Sequence, residues 1–390
     1  MSTEPTPASP AAPPLRSSHT AGFGPLLEQL GASLLVSTYQ AGKLVVLRAD
    51  AGVVNTHFRA FQNPMGVACD GERLAVGTAL EIWEFHNVPA VARKLAPAGK
   101  HDACFMPRTS HVTGNVQIHE MAWVGEELWF VNTRFSCLCG RAADFSFVPH
   151  WRPRFISALA PEDRCHINGM GLRDGRVRYV TALGETDDRA GWRRDKKGGG
   201  VLIDVDSGEV IARGLSMPHS PRWHDGRLWV LDSGNGGVAV VDEATGRLTT
   251  VAELPGFTRG LDFYEHLAFV GLSQVRESAV FSGIPIAERA LAERNCGVWV
   301  VDIRTGQTVA FLRFEDAVQK VFAVQVLANS VRYSADRTPI GVAMTVAHAT
   351  IMIVPTISGA IPPPGSLERR GGPWVRKLRL STLAPLAATE

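Results

Sequence analysis

Residues 119–133 read HEMAWVGEELWFVNT: a polar start, an apolar run, a Gly-Glu turn, and a second apolar run that ends in polar residues. Two apolar runs around a tight turn are a strong short-range signal for a β-hairpin. The same register recurs as NPMGVACDGERLAVGT (63–78), NGMGLRDGRVRYVTA (168–182), HSPRWHDGRLWVLDS (219–233) and RGLDFYEHLAFVGLS (259–273). A second register follows it, in which a β-rich run, a polar turn ending in Gly and another run appear as IDVDSGEVIA (203–212), VDEATGRLTTV (241–251) and VDIRTGQTVAF (301–311), with LRADAGVVNTH (47–57) as a looser copy.

Two hairpins in fixed order make one four-stranded antiparallel blade, and self-similarity at this spacing marks a repeat fold that grows by adding units around one axis. The expected architecture is all-β, a six-bladed β-propeller of four-stranded antiparallel blades. Five units carry the first register internally. The sixth, blade one, is split: KVFAVQVL (320–327) supplies its innermost strand and residues 33–58 supply the other three. Joining the N- and C-terminal strands in one blade closes the ring and removes exposed sheet edges. The propeller is placed at 23–356, after a Pro/Ala/Ser/Thr-rich segment (1–22) expected to be disordered and before a Pro/Gly-rich basic tail (357–390). Residues 328–356 find no place in this count, and a seventh blade follows if they pair.

Composition narrows the function classes. Apolar residues make up 45% and charged residues 20% of the chain, which is ordinary globular chemistry. A net charge of +2 gives no support to a nucleic-acid or membrane-surface partner. The apolar stretch 340–354 is interrupted by His348 and is shorter than the roughly 20 residues of a membrane span. The first residues lack the apolar region of a signal peptide, so a cytoplasmic protein with reduced cysteines is expected.

Blade topology assigns faces. Turns joining first to second and third to fourth strands lie on one face, while second-to-third turns and blade-to-blade links lie on the other. The first set reads as short, whereas the insertions 96–117, 183–199 and 273–295 are assigned to the second, where long loops carry function. The same face receives the residue before each inner strand: Asn63, His119, Asn168, His219 and Arg259. Asn132 and Asp232, at the ends of second strands, point there too. His119, His219 and Arg259 are the candidate catalytic residues, and Asn63, Asn132, Asn168 and Asp232 the candidate ligand-binding ones. His119, His219 and Asn168 together form a donor set suited to a first-row divalent metal, with Arg259 placed to hold an anionic group. Without metal, one imidazole serves as general base near neutral pH.

Other chemistry is sparser. Cys137 and Cys139 face one side of a strand, and Cys165 with His166 enters blade four, so a thiolate–imidazole metal site is conceivable, although no CxxC pair exists. WRRDKKGGG (192–200) reads as a mobile basic flap that attracts anions, with Arg108, Arg134 and Arg189 on loops of the same face. It matches no nucleotide-binding loop.

The runs GNVQIHEMAWVGEELWFVNTRFSCLCG (114–140), FVPHWRPRFISALAPEDRCHINGMGL (147–172), GLSMPHSPRWHDGRLWVLDSGNG (214–236) and CGVWVVDIRTG (296–306) resemble an uncharacterised bacterial family of conserved hypothetical proteins, some fused to tetratricopeptide repeats. The resemblance covers about residues 25–330 and implies relatedness without an activity. At fold level the chain is similar to six-bladed propellers of the gluconolactonase and NHL-repeat groups. Gluconolactonases hold a divalent metal through Glu, Asn and Asp, whereas this chain offers two His and an Arg, so no catalytic residue is carried over. The expected function is binding or transformation of a small polar or anionic molecule at the channel mouth, with a divalent metal as candidate cofactor. The alternative is a non-enzymatic scaffold that grips a protein or peptide.

Overall fold

The computed structural model describes residues 15–98, 100–275, 281–315, 317–328 and 349–351. Six antiparallel sheets with a four-stranded body radiate from one axis, giving the expected six-bladed propeller. From the axis outward, blade two comprises Val67–Cys69, Arg73–Gly77, Glu81–Asn87 and Ala103–Val112. Blade three comprises Ile118–Val124, Glu127–Asn132, Cys137–Gly140 and Val148–Trp151, and blade four Ile167–Arg173, Arg176–Ala182, Gly200–Asp204 and Val210–Leu215. Blade five comprises His219–His224, Arg227–Asp232, Gly237–Val241 and Leu248–Glu253, and blade six Phe257–Tyr264, Leu267–Ser273, Gly297–Asp302 and Gln307–Phe314.

Blade one closes the ring. Its inner strand Val321–Ala328 pairs antiparallel with Ala32–Thr38, placing Val326 opposite Leu34 and Val324 opposite Val36. Lys43–Asp50 and Val53–Ala60 complete it. Each blade is covered on both faces by neighbours, so its second and third strands read as continuous apolar runs. The period-2 alternation then divides side chains between two interfaces. In Ala32–Thr38, Leu34 and Val36 pack with Phe269, Val298 and Leu312 of blade six, whereas Leu35 packs with Leu74, Val76 and Phe85 of blade two. The remaining interfaces have their own buried clusters, so the core is a ring of inter-blade seams.

Several boundaries differ from the sequence expectation. Residues 1–14 lie outside the described residues, as do 329–348 and the basic tail 357–390. Ser17–His19, expected to be disordered, adds a fifth strand to blade six opposite Leu312–Phe314. Ala349–Ile351 runs parallel to Ala103–Phe105 at the rim of blade two, which extends that blade and starts no seventh one. The insertion expected at 96–117 is largely the outer strand Ala103–Val112. Its Pro107 cannot donate to a ladder, which obscured a strand that sits next to a sheet edge. The connection preceding it, with the short helix Pro89–Ala92, joins a third to a fourth strand and so belongs to the opposite face. The long connections 183–199 and 274–296 do lie on the expected face, joined there by the link 152–166. No helix among the described residues is long and apolar enough to cross a membrane.

Ring closure makes a direct prediction. Ending the chain at residue 315 removes the innermost strand of blade one and strips the partner from Ala32–Thr38, exposing a buried edge. The truncated protein should lose its cooperative thermal transition, while removal of residues 1–14 should leave it nearly unchanged. A cooperative transition in the 315 truncation, followed by circular dichroism, would contradict closure.

Candidate functional site

The inner strands of blades three, four and five each begin with a backbone reversal. Gln117, His166 and Met217 hold φ of 57°, 53° and 47°, a left-handed conformation that costs a non-glycine residue energy and is kept where surrounding structure enforces it. Two residues after each reversal stand His119, Asn168 and His219. The reversal turns a carbonyl onto the following imidazole: His119 Nδ1 lies 3.0 Å from Gln117 O, and His219 Nδ1 lies 2.9 Å from Met217 O. A carbonyl only accepts, so Nδ1 carries the proton in both rings.

A hydroxyl at the end of each second strand backs the same nitrogen, Thr133 Oγ1 at 2.7 Å from His119 and Ser233 Oγ at 3.0 Å from His219. Thr133 in turn donates to Ile167 O at 2.6 Å, tying blade three to blade four. Each Nε2 is left with a lone pair.

Asn168, in the equivalent place on blade four, is 2% exposed. Its Oδ1 accepts from Thr181 Oγ1 at 2.8 Å. Its Nδ2 is buried without a hydrogen-bond partner among the described residues. Asn168 therefore lines the cavity with its amide oxygen tied to Thr181 and its amide nitrogen enclosed.

Arg259 enters from blade six. The next residue, Gly260, has φ +79°, and a Cβ there would lie 2.6 Å from Val324 N, so only glycine lets blade six approach the closing strand this closely. The Arg259 guanidinium lies over the Phe322 ring at 3.4 Å from its centroid, a cation–π contact. Arg259 is 9% exposed and has no hydrogen bond or ion pair among the described residues. Glu120 is close enough to favour its charge. That carboxylate is already engaged: Oε1 pairs with Arg222 and Oε2 accepts from Met170 N at 2.9 Å.

His119, Asn168, His219, Arg259 and Phe322 line the same axial cavity of about 370 Å³, within the roughly 300–1,000 Å³ range of small-molecule pockets. Burial, and then the Arg259 charge, hold both imidazoles well below the ordinary histidine range, so both are neutral at neutral pH. Burial pushes the Arg259 guanidinium down to about 9, which leaves it charged at neutral pH. The cavity thus presents the Arg259 cation and two neutral imine acceptors, with the paired Glu120 and Arg222 and the carboxyls of Asp70 and Asp262 also in its lining.

The other expected site residues are elsewhere. Asn63 sits two positions before the true counterpart of His119, which is Met65, and its Nδ2 donates to Tyr39 O at 3.3 Å. Asn132 is fully buried and its Oδ1 caps Phe135 N at 3.1 Å. Asp232 holds its own turn, accepting from Ser216 N at 2.7 Å and Asn235 Nδ2 at 2.6 Å. None of the three lines the cavity. No three of His, Cys, Asp or Glu could hold a metal ion among the described residues. The two imidazoles and the amide of His119, His219 and Asn168 are a different set, in which Asn168 Oδ1 already accepts one bond and the Arg259 charge beside both rings works against a cation. Burial raises the thiols of Cys139 and of Cys165, the latter to about 12, so both carry their protons at neutral pH.

Sequence reasoning missed a second shell of this mouth. Asp163 Oδ1 accepts from His166 Nδ1 at 2.8 Å, and its Oδ2 accepts from Trp192 Nε1 at 3.0 Å. His166 packs edge-on against His119 at 4.9 Å and beside Trp192 at 4.5 Å. The D-x-x-H spacing before Asn168 was the available signal, and it was read through Cys165 instead. Trp192 is 2% exposed, so the basic insertion expected to be a mobile flap is anchored through its short helix Gly191–Arg194. Arg108, Arg134 and Arg189 are solvent-exposed.

The fold and this cavity define a six-bladed β-propeller with a polar axial pocket. The chain belongs to the DUF4915 family, described as a domain of unknown function, whose model matches residues 21–335. No curated protein matches the sequence. Among solved structures, the chain is similar to one titled as a nidogen/laminin complex at 10% identity and a TM-score of 0.49, over 76% of this chain and 98% of that one. A protein of unknown function from Bacteroides caccae is similar at 9% identity and a TM-score of 0.49, again over 76% and 98% of the two chains.

The neutral imidazoles carry a stability signature. Their folded pKa lies below the unfolded value of 6.5, so below pH 6.5 the unfolded chain binds more protons and stability is lost as the pH is lowered. The two rings together should impose a slope of up to about 2.7 kcal/mol per pH unit, opposed at lower pH by Asp232 and Asp262, whose carboxyls burial raises. Urea denaturation between about pH 5 and 7 should show the fall, and His119→Gln with His219→Gln should flatten it. An unchanged slope in the double variant would contradict neutral, buried imidazoles.

Proposed function

We propose that this propeller binds a small anionic molecule in its axial cavity, with Arg259 as the charge partner. The observation that carries the reading is a buried guanidinium with no carboxylate of its own. Removing a charge from water costs several kcal/mol unless a partner compensates it. Glu120 is committed to Arg222, and the remaining contact of Arg259, the face of Phe322, returns only about 1–2 kcal/mol.

A second reading, acid–base chemistry on the bound molecule, is favoured by one observation. The Asp163–His166 pair beside His119 has the orientation of a carboxylate-positioned imidazole. In that reading His166 is the general base and Asp163 a positioning residue.

Arg259→Met tests the binding reading through two opposite effects. It should raise stability by about 1 kcal/mol, because an uncompensated buried charge disappears. It should also abolish the stabilisation that millimolar butyrate gives the wild-type protein at constant ionic strength, measured by thermal shift. A wild-type melting temperature that does not respond to butyrate, or a variant that responds equally, would contradict an anion at Arg259.

A further inference from the structure

The cavity supplies more recognition than an anion alone requires. A lone carboxylate uses the Arg259 fork, leaving the Nε2 atoms of His119 and His219 without a role. Both are held as acceptors, because the carbonyls of Gln117 and Met217 fix the proton on Nδ1. Thr133 and Ser233 back these rings in the same manner on blades three and five, so the tautomer is built twice. Two buried imine lone pairs select for hydrogen-bond donors on the ligand, since an acceptor left facing an apolar group forfeits its hydrogen bond.

A small carboxylate can carry such donors as hydroxyl, amide or ammonium groups, and an amide brings a carbonyl acceptor that needs a donor of its own. An ammonium group would share the cavity with the Arg259 guanidinium, a like charge in surroundings that screen poorly. A neutral hydroxyl meets the same acceptors without that repulsion. The charge balance also argues for a carboxylate over a phosphate, which carries about 1.5–2 negative charges at neutral pH. Arg259 is the cationic lining residue without a carboxylate, because Arg222 is paired with Glu120. Planar carboxylate oxygens match the guanidinium fork.

Resting on the anion-binding reading above, we infer that the ligand is a small hydroxycarboxylate: its carboxylate is held by Arg259, and its hydroxyls donate to Nε2 of His119 and His219. The cavity of about 370 Å³ admits more than the two- and three-carbon acids, so the class extends to polyhydroxylated chains.

Isothermal titration of the full chain with matched four-carbon probes tests this. The probes are threonate of either hand (carboxylate and hydroxyls), butyrate (carboxylate only), 2-aminobutyrate (carboxylate and ammonium) and threitol (hydroxyls only). One hand of threonate should bind at least about tenfold more tightly than butyrate, a difference of about 1.4 kcal/mol. It should also bind more tightly than 2-aminobutyrate and threitol. His119→Phe and His219→Phe should each shrink the threonate-to-butyrate ratio. Butyrate or 2-aminobutyrate matching threonate overturns the hydroxyl assignment while leaving the anion site standing. Failure of both threonate and butyrate to bind overturns the assignment and the anion reading together. Where a phenylalanine variant does not fold, the four wild-type titrations alone decide.

Discussion

The pairing of Val321–Ala328 with Ala32–Thr38 is the constraint on which the rest of the molecule depends. It unites the two ends of the ring through main-chain hydrogen bonds and seats Val321 and Val324 in the seam shared with blade six. The same strand carries Phe322, the ring beneath the Arg259 guanidinium, and receives Gly260 at close range. Closure and site are thus one construction. A chain that failed to bring residue 324 against residue 260 would lose the seam and the floor of the cavity together.

The inward face of the channel departs from what packing alone would favour. Elsewhere, buried carboxylates hold partners, as Asp232 accepts from two donors and Glu120 meets Arg222, although Asn132 Nδ2, like Asn168 Nδ2, is buried without a partner among the described residues. At the mouth, Arg259 has no carboxylate and Asn168 Nδ2 has no acceptor among the described residues. Unsatisfied polar groups of this kind destabilise a fold, and they concentrate where a ligand completes them. Their proximity within one cavity, opposite two imidazoles with fixed tautomers, distinguishes the mouth from an ordinary wet propeller channel.

Much of this was legible in the sequence. The two hairpin registers specify blades because turn chemistry and period-2 alternation are local properties, and HEMAWVGEELWFVNT contains both. Split closure followed from counting registers and finding an inner strand near residue 321 without its partners. Register at the inner strand ends was less legible. Asn63 and His119 both precede apolar runs, yet Asn63 is itself the backbone reversal of blade two, with φ of 49° where Gln117 has 57°, so Met65 stands where His119 does. Asn168 lines the cavity as expected, but the Thr181 bond that ties its amide oxygen is a contact between strands, invisible to spacing. The same holds for Trp192, whose flanking basic residues suggested an exposed flap although its indole reaches Asp163 in the link before blade four.

The most direct test of the account is a crystal structure of the full chain grown with bromide, with anomalous differences collected at the bromine edge. The account predicts a bromide peak in the axial cavity within hydrogen-bonding distance of the Arg259 guanidinium. A cavity without that peak, with the Arg259 guanidinium turned onto the Glu120 carboxylate, would contradict it.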